Sequence, residues 1–434
     1  MILIYTHKET ARLEYIIKFI FSDILKSDFQ ITTDRDHFIK SNQPKINYSN
    51  ENIPDSFWIE PVDLLFESTI LQKKVSVSSW NNNKIFFQTS EKSDIPFDLF
   101  AASFYLISRY EEYLPFSADQ HGRFEANQSI AHTNSFLYDP IVDQWVYAFV
   151  KMLKNMFYGF TMPERNFTFI PTIDIDNAYA YLYKGAVRTI GAAMRDLFKL
   201  EVNENIKRFQ ALAGEKDPFD TYSYIDSLHA QYGVSPVWFF LVGNYSEFDK
   251  NLPIENEGFQ DLIKEISQRA EIAIHPSYES NQSFDQLKNE YDYLSSISGK
   301  PITKSRQHYL KLLFTETYQN LLKLGVKEDY TLGYASDIGF RAGTCTPFMF
   351  YDLYSERETE LRIFPFQVMD VTLNQYLKLS IEDAQHKIKE IVEKVKAVNG
   401  TFISLWHNES LSDHGYWKGW EPVYKKMLEI IFEK

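Results

Sequence analysis

The sequence predicts an α/β protein: a distorted barrel of alternating strands and helices, preceded by a smaller α/β domain. Three observations predict it. Short apolar runs rich in Val, Ile and Phe recur beyond residue 165 and read as buried strands. Helical stripes lie between most of them, and strand–helix alternation implies a parallel sheet. Ionisable residues close the runs: Asp174 and Asp176 end FTFIPTIDID, His275 ends AEIAIH, Asp370 ends RIFPFQVMD and His407 ends GTFISLWH. Acids and imidazoles at the C-terminal ends of several parallel strands are how an α/β barrel assembles a site.

The elements follow in chain order. ILIYT opens the chain as a short strand, followed by an apolar-periodic helix from about Glu9 to Leu25 and a strand near Phe29 to Thr32. KSNQPKINYSNENI, between Ile39 and Ile53, is polar and Asn-rich and reads as a loop. KVSVSSW and KIFFQTS read as strand pieces with the intervening Asn run as a hairpin turn. From Asp98 to Tyr113 the spacing is helical and ends on Arg109, Glu111 and Glu112. The loop SADQHGRFEANQS then precedes a helix from about Pro140 to Phe157. MPERN at 162–166 is the boundary candidate, dividing a first unit at 1–162 from a second at 163–434. The second unit offers strand candidates at 167–174, 236–242, 271–275, 302–308, 331–335, 362–369 and 401–407. Among its helices, Ile381, Ala384, Ile388, Ile391, Val392, Val395 and Val398 form a clean stripe.

Composition narrows the function classes. At 434 residues two domains are the natural expectation, and 44% hydrophobic with 24% charged residues is ordinary for a folded globular chain. A formal charge of -14 disfavours nucleic acid or an anionic membrane as partner. The 28 Tyr and 35 Phe serve mostly the core, although polar-tipped rings also suit a groove for sugars. The N-terminus lacks the layout of a signal peptide, no apolar stretch is long enough to span a bilayer, and Cys345 is the only cysteine. These features point to a cytoplasmic protein without a disulfide framework, and Cys345 reads as a small core or loop residue.

The candidate chemistry lies at the strand ends. Asp174 and Asp176 share a face of an extended segment while Ile175 points into packing. Such a pair binds a cation, shares acid/base work, or caps the following helix. His275, stopped by Pro276, is either a metal ligand or a satisfied strand-end histidine, and Glu279 lies four residues on. Arg306 and His308 share a face before Tyr309, which begins an amphipathic helix; the pair supplies a further ligand, binds an anionic group, or is an ordinary strand–helix junction. Arg341, in a Gly-flanked loop, either orients a carboxylate or makes a structural salt bridge. His407, beside Trp406, is placed for general acid work.

Taken in order, these elements resemble the polysaccharide deacetylase family, the NodB-like carbohydrate esterases acting on N-acetyl groups. Thr172-Ile173-Asp174-Ile175-Asp176 is similar to the family's first motif, Thr-Phe-Asp-Asp-Gly. The second motif begins at His275, the third is matched only at Arg341, the fourth at Asp370, and Leu405-Trp406-His407 matches the fifth, Leu-x-His. Glu279 stands where the second motif has another histidine, and Pro-Tyr is absent after Arg341. The resemblance covers residues 165 to 434, and the first segment resembles a companion domain of bacterial members.

The resemblance implies a (β/α)7 barrel and a hydrolase of carbon–nitrogen bonds other than peptide bonds, removing N-acetyl or O-acetyl groups from a carbohydrate. It implies one divalent metal, zinc by its ligand set, held by Asp176, His275 and His308. Glu279 is the alternative to His308, but a second imidazole keeps the site less anionic and favours hydrolysis near neutral pH. Asp174 is then the base, held ionised by Arg341, with Asp370 as the fourth motif and His407 as the acid. Arg306, Tyr309 and Trp406 are the expected substrate contacts. Two rival readings are a non-catalytic glycan-binding protein on the same barrel and a hydrolase of a small non-sugar amide. The oligomeric state is left open.

Overall fold

The computed structural model describes residues 1–433. Its first sheet is parallel, with β1 (Ile2–Thr6) between β2 (Phe29–Thr32) and β3 (Lys45–Tyr48), and with β4 (Phe57–Trp58) beyond β3. Parallel neighbours need a crossover. That from β1 to β2 is the helix Ala11–Lys18, capped by the Thr10 hydroxyl on the Leu13 amide and continued by a wider turn at Phe19–Ile24. The Asn-rich stretch expected as a loop therefore contains a strand. β3 is buried throughout because Ile46 and Tyr48 join the core, while Asn47 satisfies its side chain on the Glu51 carbonyl. β5 (Ser78–Trp80) and β6 (Asn83–Ile85) form the expected hairpin. Asn81 and Asn82 take φ of 49° and 65°, the left-handed pair of a tight two-residue turn.

The second sheet holds the candidate site. Its strands are β7 (Thr168–Ile175), β8 (Val237–Phe240), β9 (Glu271–Ile274), β10 (Lys304–Ser305), β11 (Glu328–Asp329), β12 (Phe348–Asp352), β13 (Arg357–Ile363), β14 (Val368–Met369) and β15 (Thr401–His407). They run in the order β12-β13-β11-β10-β9-β8-β7-β15-β14. Every pairing is parallel except β12 with β13. One stretch of chain joins the two ends of the parallel run. On one side the amides of Arg362 and Phe364 donate to the Lys327 and Asp329 carbonyls, both at 2.8 Å. On the other, Gln367 donates to Ile403 at 3.1 Å and β14 pairs with β15.

The two faces of these strands divide the core. Ile173, Ile175, Trp238, Phe240, Phe402 and Trp406 pack outward against helices, whereas Phe239, Ala273, Ile403 and Leu405 form a separate inner cluster. Several expected strands are shorter than their sequence patterns. Only Lys304–Ser305 of 302–308 pairs, and the 331–335 candidate is irregular, its ladder lying earlier at Glu328–Asp329. Close approach explains the latter: a Cβ on Gly333 would meet the Phe366 ring at 2.2 Å, so the chain lies flat against that ring. Pro365, without an amide hydrogen, separates β13 from β14.

The antiparallel β12–β13 pair, absent from the sequence reading, packs against the N-terminal segment. Tyr15 donates its hydroxyl to the Met349 carbonyl at 2.7 Å, Phe104 meets Tyr351 edge-on, and Arg12 pairs with Glu356. A buried ion cluster adds to this contact. Glu112 accepts from Arg109 Nε at 2.8 Å and from Arg341 Nε and Nη2 at 3.0 and 2.6 Å, with all three side chains at most 3% exposed. Removing one member of a buried ion cluster leaves charge uncompensated. Glu112→Ala should therefore lower unfolding stability by about 3–5 kcal/mol in a denaturant titration; a loss below about 1 kcal/mol would mean that water reaches the arginines. Among the described residues no helix is long and apolar enough to cross a membrane.

Candidate metal centre and active site

Strand alternation aims the first two carboxylates. Ile173 and Ile175 point into the outer core, so Asp174 and Asp176 point inward. β15 pairs with β7 in a register that puts His407 opposite Asp174. His275 follows directly on β9, and Arg306 and His308 follow β10, so six chemistry-bearing side chains leave these strands at the same end.

Asp176, His275 and His308 form the tightest group, one ligand atom from each lying within 4.8 Å of the others. The Nε2 atoms of His275 and His308 each lie 3.3 Å from an Asp176 oxygen. Their opposite nitrogens are fixed: His275 Nδ1 lies 2.5 Å from the Arg306 carbonyl, and His308 Nδ1 lies 2.8 Å from Asp249 Oδ1. Such partners set the tautomer and aim the free nitrogen at an ion. Asp176 Oδ1 is buried without a hydrogen-bond partner, an orphaned acceptor facing the His275 imidazole. The donor set and the orphaned oxygen both fit a divalent cation.

The electrostatics agree with a site built for positive charge. Burial alone would raise the Asp176 carboxyl, but His308 and His407 outweigh it and hold the group well below the usual carboxylate range. Burial works against protonating His308, yet Asp176 and Asp249 push it up to about 9. A cation there takes the place of that proton, since a ligand imidazole must be neutral.

Two further pairs flank this group. Asp174 Oδ1 accepts from Arg306 Nη1 at 2.6 Å, while Arg306 also donates to the Thr172 hydroxyl at 2.8 Å and the Tyr330 carbonyl at 3.0 Å. His407 Nδ1 lies 2.8 Å from Asp370 Oδ1, and its Nε2 lies 3.6 Å from Asp176. Against the pull of burial, Asp370 and then Asp176 raise the His407 pKa well above its ordinary value.

Four expectations change. Arg341 does not hold Asp174: it is committed to Glu112 and the Gly333 carbonyl, and Arg306 takes that place instead. Arg306 is consequently not a substrate contact, being fully buried beneath the site with its guanidinium over the Phe239 ring. Trp406 lies between two inward-facing residues and so faces outward, against Tyr424 in the core. Glu279, the alternative to the favoured His308, is no such change: it is exposed and outside the ligand group. Tyr309 does line the pocket, but in a short turn with φ of 59° rather than at the start of a helix; the next helix begins at Glu316.

The pocket over these groups holds about 460 Å³ and is walled by Tyr309, Leu310, Met369, Val371 and Tyr376. Arg123, from the loop between the short turns Tyr110–Tyr113 and Ala126–Gln128, closes one side; its Nη1 donates to the Tyr309 carbonyl at 2.7 Å and its Nε to Asp119 at 2.8 Å. A larger crevice of about 1280 Å³ lies elsewhere and includes none of the ligand group. Asp249, Arg123 and Glu409 are site residues that the sequence reading missed. Asp249 and Arg123 sit in polar loops with no apolar run to point to them, whereas Glu409 was within reach, two residues past the His407 strand end.

The model of a family of unknown function (DUF7033) matches residues 2–158. No curated protein matches the chain. Among solved structures it is similar to a candidate polysaccharide deacetylase from Mycobacterium smegmatis, at 12% identity over 63% of this chain and 87% of that one, TM-score 0.40. It is similar also to the Puue allantoinase, at 9% identity over 63% and 88% of the two chains, TM-score 0.39. A CE4 family pseudoenzyme from Bacillus anthracis aligns at 11% identity over 61% of each chain, TM-score 0.30.

Proposed function

We propose that this protein is a metal-dependent hydrolase that removes N-acetyl groups from a carbohydrate. It would work on a distorted (β/α)7 barrel at 163–434, with the α/β unit at 1–162 lending one wall of the pocket. One observation carries the reading: the Asp176, His275 and His308 group lies between a carboxylate held by arginine and an imidazole fixed from behind by Asp370.

The chemistry divides among these residues. Asp176, His275 and His308 would hold the cation, and two imidazoles with one carboxylate suit zinc. A bound divalent ion polarises an amide carbonyl and acidifies water. Asp174, with Oδ1 fixed by Arg306, presents its other oxygen to the site and accepts the proton of the attacking water. Arg306 keeps that carboxylate pointed, anchored in turn by Thr172 and Tyr330. His407 donates its Nε2 proton to the leaving nitrogen, while Asp370 fixes its ring from behind. Tyr309 and Tyr376 offer flat walls for a sugar ring.

The enclosure of the pocket favours a second reading. Arg123 bonds to the Tyr309 carbonyl and sits 3.4 Å from the Tyr376 hydroxyl, which narrows the entrance and suits a small amide as well as a single sugar. Incubating zinc-loaded protein with N-acetylated oligosaccharides should release acetate and an equal amount of free amine. No acetate from any acetylated glycan with zinc, cobalt, nickel or manganese would reject the deacetylase. Cleavage of a small linear or cyclic amide under the same conditions would establish the second reading.

A further inference from the structure

Two helices inserted after β7, Gly185–Phe198 and Val202–Leu212, turn their apolar faces to solvent. On the first, Val187, Ile190, Met194 and Leu197 recur at helical spacing and are 87, 60, 54 and 63% exposed. On the second, Val202, Ile206, Phe209 and Leu212 do the same at 52, 51, 61 and 49%. Phe198 and Leu200, at the connection, are each 84% exposed. The polar face of the first helix is the one turned inward: Arg188, Arg195, Asp196 and Lys199 line the large crevice against the body, and Asp196 ties down Arg195 and Arg208.

A helix of a water-facing protein ordinarily buries its apolar stripe, and contiguous exposed apolar surface marks a place of interaction. The charge of the insertion argues for what covers it. Residues 184–216 carry seven Lys or Arg against four Asp or Glu, in a chain whose net charge is -14. Of these cations Arg195, Lys199, Lys207 and Lys216 are exposed, and among the described residues Lys199 and Lys216 make no salt bridge, whereas Arg188 stacks on Tyr245 and donates to the Lys250 and Asn251 carbonyls. Pairing with a second copy would instead set two basic insertions against each other. An apolar face of Val, Ile, Leu and Phe backed by Lys and Arg is the signature of a helix lying in the interface of a bilayer.

We propose that this insertion docks the protein on an anionic lipid surface. The apolar stripes enter the boundary between headgroups and acyl chains, and the exposed Lys199, Lys207 and Lys216, at the helix connection and flank, supply the attraction to the phosphates. The crevice behind the insertion is also lined by Asn177 and His414, which follow β7 and β15, so the lipid-facing helices stand at the end of the barrel that carries the site. Docking would hold the pocket near the membrane without a spanning helix. The proposal stands independently of which bond the site cleaves.

Flotation of the full chain with vesicles is the test. The protein should rise with phosphatidylcholine–phosphatidylglycerol vesicles, less so with phosphatidylcholine alone, and less again at high salt. The variant carrying Ile190→Glu, Leu197→Glu and Phe209→Glu should partition at least about tenfold more weakly. Its circular dichroism and metal content should match the parent, since none of the three touches the site. Lys199→Glu with Lys216→Glu should weaken binding to the anionic vesicles only. Failure to float with either lipid, equal binding by the triple variant, or a dimer in sedimentation velocity that the triple variant breaks would each overturn the proposal.

Discussion

Alanine at His275 should leave the protein without metal, where the parent purified without chelator holds close to one transition ion per chain. The expected loss of affinity exceeds about 100-fold, since disturbing a partner behind a ligand already costs about 10–100-fold. His275 is one of only three donors in the group, and its Nδ1 is tied to the Arg306 carbonyl, which aims Nε2 at Asp176. Elemental analysis of parent and variant, with circular dichroism to establish folding, gives the answer. Stoichiometric metal surviving in the variant would remove His275 from the ligand set.

Asp174→Asn should abolish most turnover while sparing the ion. Acetate release is expected to fall by roughly 100-fold or more, the usual contribution of a positioned general base. The amide keeps the shape of the carboxylate, and its oxygen can still accept from Arg306. Metal content should therefore change little. If Asp174→Asn strips the ion instead, the two carboxylates of β7 have been assigned each other's roles, and Asp176→Asn should then show the milder metal phenotype.

Much of this site was readable because a strand has a period of two. Once His407 faces inward, its partners on alternating positions follow, and Asp174 and Asp176 must share that face. The same rule contained the signal that Trp406, next to His407, faces outward, a consequence the sequence reading did not use. What it could not supply was the partner across the barrel. Nothing along the chain tells whether Arg306 or Arg341 reaches Asp174; that depends on β10 standing close enough to span the interior. Asp249 was invisible for a similar reason, since it orients His308 from a loop between helices and strands. In the first unit β3 was hidden by its Asn residues, which hydrogen-bond their own backbone in loops as readily as in a buried strand.

Arg341 shows how a catalytic-looking arginine can matter for another reason. It never reaches the pocket groups, yet its guanidinium is locked to Glu112, a residue from the opposite side of the MPERN boundary. The apolar core runs across the same divide, from Leu13 and Phe104 to Tyr351 and Leu361, without a gap. A clone that starts at the boundary would strand a cation in a hydrophobic hollow and strip the cover from β12 and β13. The place where the chain is easiest to cut on paper is thus a poor place to cut it in practice, and the two units are expected to melt as one cooperative body.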